Sequence, residues 1–303
     1  MVNSVIEDIK STFRSGNMIS KIILVNVSLF ILLKLIYVFT QGGQGIYPAI
    51  HNWLSLPSDP SQLIRQPWSL FTHMILHEGF WHIIMNMLML YWFGQIVGDL
   101  LGDQRVLPIY IMSGLFGGLV YILHDLYLPG GTGGHAYALG ASAAVMAVIW
   151  SAAMTSPDYN MRLLLLGNIR LKYIALGLLF MDLVGTAGDI NKGGHWAHIG
   201  GAIFGIFYVY LLRQGTDITS PFTKLMERRN NKLSKYSQKV EKTPRSKFRV
   251  VHNTRKSDDN EAPRAGFNQQ EELDRILDKI KAKGYDKRNE EEKDFLYRAS
   301  KKK

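Results

Sequence analysis

The sequence predicts an all-α membrane protein: a six-transmembrane-helix bundle with a basic soluble tail that ends in a short helical hairpin. Three observations carry this. Apolar runs of bilayer-spanning length recur through residues 1–213, whereas residues 214–303 are densely charged. A spanning helix needs about 20 predominantly apolar residues. Lys and Arg alternate between the loops, abundant in every second one, as expected when basic loops stay on one side of a membrane. The net charge of +10 in 303 residues therefore belongs to a tail and not to a basic globular core. The chain has no cysteine, which excludes disulfides, thiolate metal sites and a cysteine nucleophile.

Residues 1–20, with Lys10 and Arg14, read as a short polar segment able to form a surface helix. The first span covers Lys21–Thr40; it lacks a small-residue cleavage site and reads as a retained helix, with Lys34 snorkelling or facing another helix. Residues 41–70 form a long Gly- and Pro-containing loop whose Trp53 and Trp68 suit the membrane interface. Spans two and three cover Trp81–Leu100 and Val106–Leu126, the latter with Gly114, Gly117 and Gly118 for close packing. The fourth, Gly140–Met154, is short, as for a helix whose end stops inside a cavity. The fifth covers Tyr173–Gly185, with the apolar Met161–Leu166 as an earlier possible start, and the sixth covers His195–Leu212. Lys10, Arg14, Lys21, Arg162, Arg170, Lys172 and the tail then share one side, which puts both termini in the cytoplasm.

In that topology four polar residues fall at one depth. His82 and Asn86, four apart on one face, open the second helix; Ser142 opens the fourth; His198 lies in the first turns of the sixth. Polar groups at membrane depth are functional candidates by default. A serine, two histidines and an asparagine supply a nucleophile, a base and donors for a developing oxyanion. Taken singly, each is more simply read as a helix-to-helix hydrogen bond; four at matched depth favour chemistry. Gly201 and Gly205 form a Gly-x-x-x-Gly face that would let the sixth helix pack on the small residues Ala141, Ala143, Ala144 and Ala147.

These residues resemble those of the rhomboid intramembrane serine proteases. The matching blocks are His77-Glu-Gly-Phe-Trp-His82-Ile-Ile-Met-Asn86, Gly140-Ala-Ser142 and Ala197-His198-Ile-Gly-Gly201-Ala-Ile-Phe-Gly205, within residues 65–212. The resemblance implies Ser142 as nucleophile and His198 as general base and acid, a dyad without a carboxylate. It implies an oxyanion hole from His82, Asn86 and the Ser142 backbone N–H, and an open backbone at Gly140. The implied substrates are single-span membrane proteins, and the implied location is a bacterial inner membrane. The loop 41–70 and the fifth helix would control substrate access. The chain departs from the family at Ser69, where many members carry Arg, and at Met146, where many carry a Tyr packed on the catalytic imidazole.

Other motifs point less far. His77-Glu78 with His82 has the wrong histidine spacing for a zinc peptidase. Asp182 and Asp189 read as solvated groups near the outer end of the fifth span, and His195 as interfacial. His73 and His77 precede the second helix; His124 and Asp125 end the third. The basic linker 214–268 suits anionic lipid and has no nucleic-acid motif. Residues 269–303 read as a hairpin: Leu273, Ile276, Leu277 and Ile280 at helical spacing, then Asn289 and Glu292 as a capping box. No cofactor or metal is implied. Two further readings stay open: a rhomboid-like protein that binds transmembrane helices without cutting them, and a transporter using buried histidines as proton relays.

Overall fold

The computed structural model describes residues 11–12, 16–40, 45–163, 167–188, 191–226, 228, 276, 278–279 and 290–301. The chain divides into two compact units, Met1–Thr243 and Pro244–Lys303.

The first unit is a bundle of helices. α1 (Met18–Phe39) is followed by three short helices in the connecting loop, α2 (Ile46–Leu54), α3 (Pro60–Arg65) and α4 (Ser69–Thr72). Next come α5 (Phe80–Leu101), α6 (Val106–Tyr127), α7 (Ser142–Thr155), α8 (Leu171–Ala187) and α9 (Lys192–Arg213). Four of these helices, α1, α5, α9 and α6 with its preceding turn, are long and apolar enough to cross a bilayer. Each has at least 22 residues, about 33 Å at 1.5 Å per residue, against a hydrocarbon core of about 30 Å. Their exposed apolar side chains, such as Leu32, Phe116 and Phe207, are what a lipid solvent requires.

α7 is shorter, and it is the centre of the bundle. Its 14 residues reach only about 21 Å. Every residue from Ala143 to Ala153 is buried. α9 lies directly against it: a Cβ on Gly201 would overlap the Ala143 carbonyl oxygen, and one on Gly205 the Ala147 carbonyl oxygen. At the same residue a Cβ at Gly117 of α6 would come 2.6 Å from the Ala143 Cβ. The small residues at these positions are what lets three backbones meet. The early start considered for the fifth span is not taken: Asn160–Leu163 and Gly167–Arg170 pair as an antiparallel hairpin, β3 and β4, before α8 begins at Leu171.

Residues 45–79, between α1 and α5, are held by specific bonds. Strand β1 (Leu56–Pro57) pairs with β2 (Tyr137–Ala138), so this loop and the one leading into α7 form a single platform. Trp68 packs on Trp53 with ring centroids 4.7 Å apart, and its indole N–H donates to the Trp53 carbonyl at 2.8 Å. Ser69, also buried, makes no side-chain bond. Lys34 does face its neighbours: its ammonium lies 5.5–5.8 Å from the centroids of Phe30, Tyr37 and Tyr47 and donates to the Glu78 carbonyl at 2.7 Å. Cation–π contacts of this kind offset part of the cost of a lysine in an apolar helix.

At the opposite end, Asp103 accepts from the Met18 N–H at 2.8 Å, placing a carboxylate at the α1 N-terminus, and Arg105 pairs with Asp217 at 2.9 Å. Burial pushes the Asp217 carboxyl up, but the Thr219 hydroxyl and amide and the Arg105 guanidinium hold it below its ordinary value.

In the second unit α10 spans Glu290–Lys301. Lys279 pairs with Glu292 at 2.6 Å, and Ile276 is buried. Glu292, expected in a capping box, thus bonds to the preceding segment; Asn289, Leu273, Leu277 and Ile280 lie outside the described residues, as does almost all of the linker.

Gly201→Ala and Gly205→Ala should each destabilise the detergent-solubilised protein by about 1–3 kcal/mol, because a methyl group must displace a packed backbone. A thermal midpoint equal to that of the parent would show that α7 and α9 do not meet here. Because the Asp217 carboxyl is depressed, its contribution is present at neutral pH and lost as pH falls through its folded-state value. Asp217→Asn should therefore flatten the loss of stability on acidification, measured as thermal midpoint against pH.

Candidate active site

Ser142 is the first residue of α7. The backbone that delivers it is unusual for a reason visible in the sequence. Gly140 adopts φ +119°, and a Cβ there would lie 2.8 Å from His82 Nε2. Only glycine combines that dihedral with that proximity. The Gly140 N–H donates to the His73 carbonyl at 2.8 Å, and the Ala141 N–H to His77 Nε2 at 3.5 Å. His73 Nδ1 in turn donates to the Ser69 carbonyl at 2.8 Å. The two histidines before α5 are thus buried supports of the nucleophile loop.

Beyond this turn the α7 amides point along the helix axis. The first intrahelical acceptor, Ala141, receives the Val145 N–H at 2.9 Å, so the Ser142 N–H is one of the donors that a helix N-terminus leaves free. It brings the positive end of the helix dipole to the same place.

Ser142, His198, His82 and Asn86 all line one cavity of about 960 Å³, together with Gly140, Met146 and Asp182. The four polar residues expected at one depth are therefore brought together. The Asn86 amide N–H₂ donates one hydrogen to the His82 carbonyl at 2.8 Å, leaving its second for the cavity. Met146 is buried one turn into α7 and lines the same cavity. Among the described residues no hydrogen bond joins Ser142 Oγ to His198.

His198 is held from the other side. Asp182 Oδ1 accepts from His198 Nδ1 at 2.7 Å and from His195 Nδ1 at 2.8 Å. This corrects two expectations. Asp182 is not a solvated helix-end group: it is 5% exposed and faces α9. His195 is not merely interfacial, since it shares the same carboxylate oxygen. A signal was present in the sequence: the buried positions of α8 are Leu171, Ala175 and Asp182, spaced by four and seven, one helical face. His195 and His198, three apart, form the matching face of α9. Asp189 lies outside the described residues. His124 and Asp125 are structural, His124 stacking on Trp196 at 5.5 Å and Asp125 accepting from the Thr132 and Gly134 amides at 2.9 and 3.0 Å.

A short buried helix opening with a serine into a polar cavity, inside a bundle of apolar helices, defines an integral membrane protein with a polar site set within its helices. The sequence comparisons specify the class. A Rhomboid domain model matches residues 64–215, half of the chain, and the chain belongs to the rhomboid family. It is 25% identical over 199 residues to the rhomboid protease GlpG of Pectobacterium atrosepticum, covering 65% of this chain and 63% of that protein. The rhomboid protease GlpG of Yersinia enterocolitica is 28% identical over 188 residues, 61% of each chain. The human presenilin-associated rhomboid-like protein, mitochondrial, is 28% identical over 156 residues, 49% of this chain and 38% of that protein. The chain thus spans less than two thirds of the length of these relatives. Residues 264–302 match a family of unknown function, DUF6576.

Gly140→Ala should strain the turn and push on His82, destabilising the protein by about 1–3 kcal/mol. A variant with parent-like thermal stability and parent-like Ser142 reactivity would remove Gly140 from the site's design.

Proposed function

We propose that this protein is an intramembrane serine endopeptidase that cuts single-span membrane proteins in or near their transmembrane segment. The observation that carries the reading is Ser142 at the open N-terminus of α7, in one cavity with His198. Ser142 Oγ attacks the scissile carbonyl carbon while His198 Nε2 takes its proton. The carbonyl oxygen becomes an oxyanion that accepts from the Ser142 N–H, the second Asn86 amide hydrogen and His82. The C–N bond then breaks, His198 returns the proton to the leaving nitrogen, and water entering the cavity hydrolyses the acyl-enzyme by the same route. The chemistry needs no cofactor.

The substrate class follows from family membership and from the site's setting among apolar helices, where an extended stretch of a transmembrane helix presents its backbone. Access past the 41–70 loop and α8 fits the exposed apolar face of α8, which includes Leu176, Phe180 and Val184. The loop charges support both termini in the cytoplasm of a bacterial inner membrane, with the basic linker against anionic lipid.

One observation favours a second reading, a rhomboid-like protein that holds transmembrane helices without cutting them: the missing Ser142–His198 hydrogen bond. Such bonds are often long before substrate binds and shorten in the reacting complex. Reactivity separates the readings. The purified protein in detergent should be labelled by a fluorescent fluorophosphonate and should cleave a reconstituted single-span substrate. Ser142→Ala should abolish both, and His198→Ala should slow both by about 10³-fold or more. Folded parent protein that takes no label would hand the case to the binding reading.

A further inference from the structure

We propose that Asp182 is a positioning residue for His198, so that this protein works with a Ser142–His198–Asp182 arrangement and not with a bare serine–histidine pair. The inference rests on the protease reading above and extends it to a residue outside the three matching sequence blocks.

An ionised carboxylate only accepts hydrogen bonds. Asp182 Oδ1 lies 2.7 Å from His198 Nδ1 and 2.8 Å from His195 Nδ1, so both imidazoles carry their proton on Nδ1. For His198 this leaves Nε2 unprotonated, the nitrogen required to take the Ser142 proton. The unassisted imidazole has two tautomers, and only one of them is a base toward Ser142. A carboxylate on the far nitrogen selects it, and fixes the ring plane as well.

The setting makes the bond consequential. Asp182 has 5% of its surface exposed, so little water reaches Oδ1 to compete with the two imidazoles. The approach of the two helices is itself shaped for the cluster: a Cβ on Gly185, one turn beyond Asp182, would overlap the His195 imidazole. His195 anchors Oδ1 from a second direction, its ring 6.0 Å from that of His198 and nearly perpendicular to it. Met146, which lines the same cavity, is a flexible thioether with no aromatic ring to stack on the imidazole. The carboxylate supplies the orientation that a stacked ring would have supplied. During turnover the proton moves between Ser142 Oγ, His198 Nε2 and the leaving nitrogen. Asp182 keeps its charge throughout and holds the Nδ1–H.

The rival reading is that Asp182 only glues α8 to α9. Two measurements on the full-length protein in detergent separate them. The first is the rate of fluorophosphonate labelling for the parent, Asp182→Asn, Asp182→Glu and Ser142→Ala, each with its thermal midpoint. Asp182→Asn should label at least about tenfold more slowly per folded molecule, and Asp182→Glu, which restores the acceptor, should recover part of the loss. A parent-like rate for folded Asp182→Asn overturns the proposal. The second needs no Asp182 variant: ¹⁵N spectra of histidine-labelled parent, with His198 assigned by His198→Gln. A neutral His198 protonated on Nδ1 supports the proposal; a proton on Nε2 overturns it. If the parent itself takes no label, the protease reading fails first, and the tautomer still reports on the contact.

Discussion

The contact on which the bundle depends is that of two helix backbones with nothing between them. Where α9 crosses α7, Gly201 and Gly205 sit on the Ala143 and Ala147 carbonyls. In a bilayer, burial of apolar surface offers little drive for helix association, so close van der Waals packing carries it. The crossing places the first turns of α9 beside the N-terminus of α7. His198 lies three residues before Gly201 and Ser142 one before Ala143, so the packing that assembles the bundle also assembles the polar site.

A second constraint is the length of α7. Fourteen residues cannot span the hydrocarbon, and the chain before them must run as non-helical backbone at membrane depth. Such backbone persists only where it is buried against protein or lines a water-filled cavity. Here the first condition holds: β1 pairs with β2, and His73 and His77 accept the amides of Gly140 and Ala141, beside the cavity that Gly140 and Ser142 line. The loop between α1 and α5 is therefore part of the site's foundation as well as a candidate gate.

The carboxylate on α8 adds a dependence between the site and its least buried helix. Asp182 is the polar member of an otherwise apolar inner face of α8. While α8 rests against α9, the carboxylate holds the His198 ring; a displaced α8 would take that acceptor away. On the proposed reading, substrate access past α8 and the orientation of His198 depend on the same pair of helices.

Much of this was legible in the sequence because membrane insertion writes strong, local signals. The long apolar runs, the serine at the start of an alanine-rich segment, the Gly-x-x-x-Gly face and the four residues at one depth needed no tertiary information. Lys34 was legible as a residue that snorkels or faces another helix, though not its aromatic cage. What the chain alone left undecided was rotation. An aspartate near the end of an apolar helix reads as solvated until the facing helix is known, since its cost depends on whether a donor stands opposite. The spacing of Asp182 from Ala175 and Leu171 marked one face, but nothing local said that this face met His195 and His198. The hairpin at β3 and β4 was hidden for a related reason: Met161–Leu166 reads as apolar enough for a helix, and only the partner strand makes Asn160–Leu163 extended. Helix positions and the small-residue seam were determined by sequence through hydrophobicity and side-chain size. The orientation of His198 was decided by tertiary structure, because one oxygen of a residue sixteen positions away holds its ring.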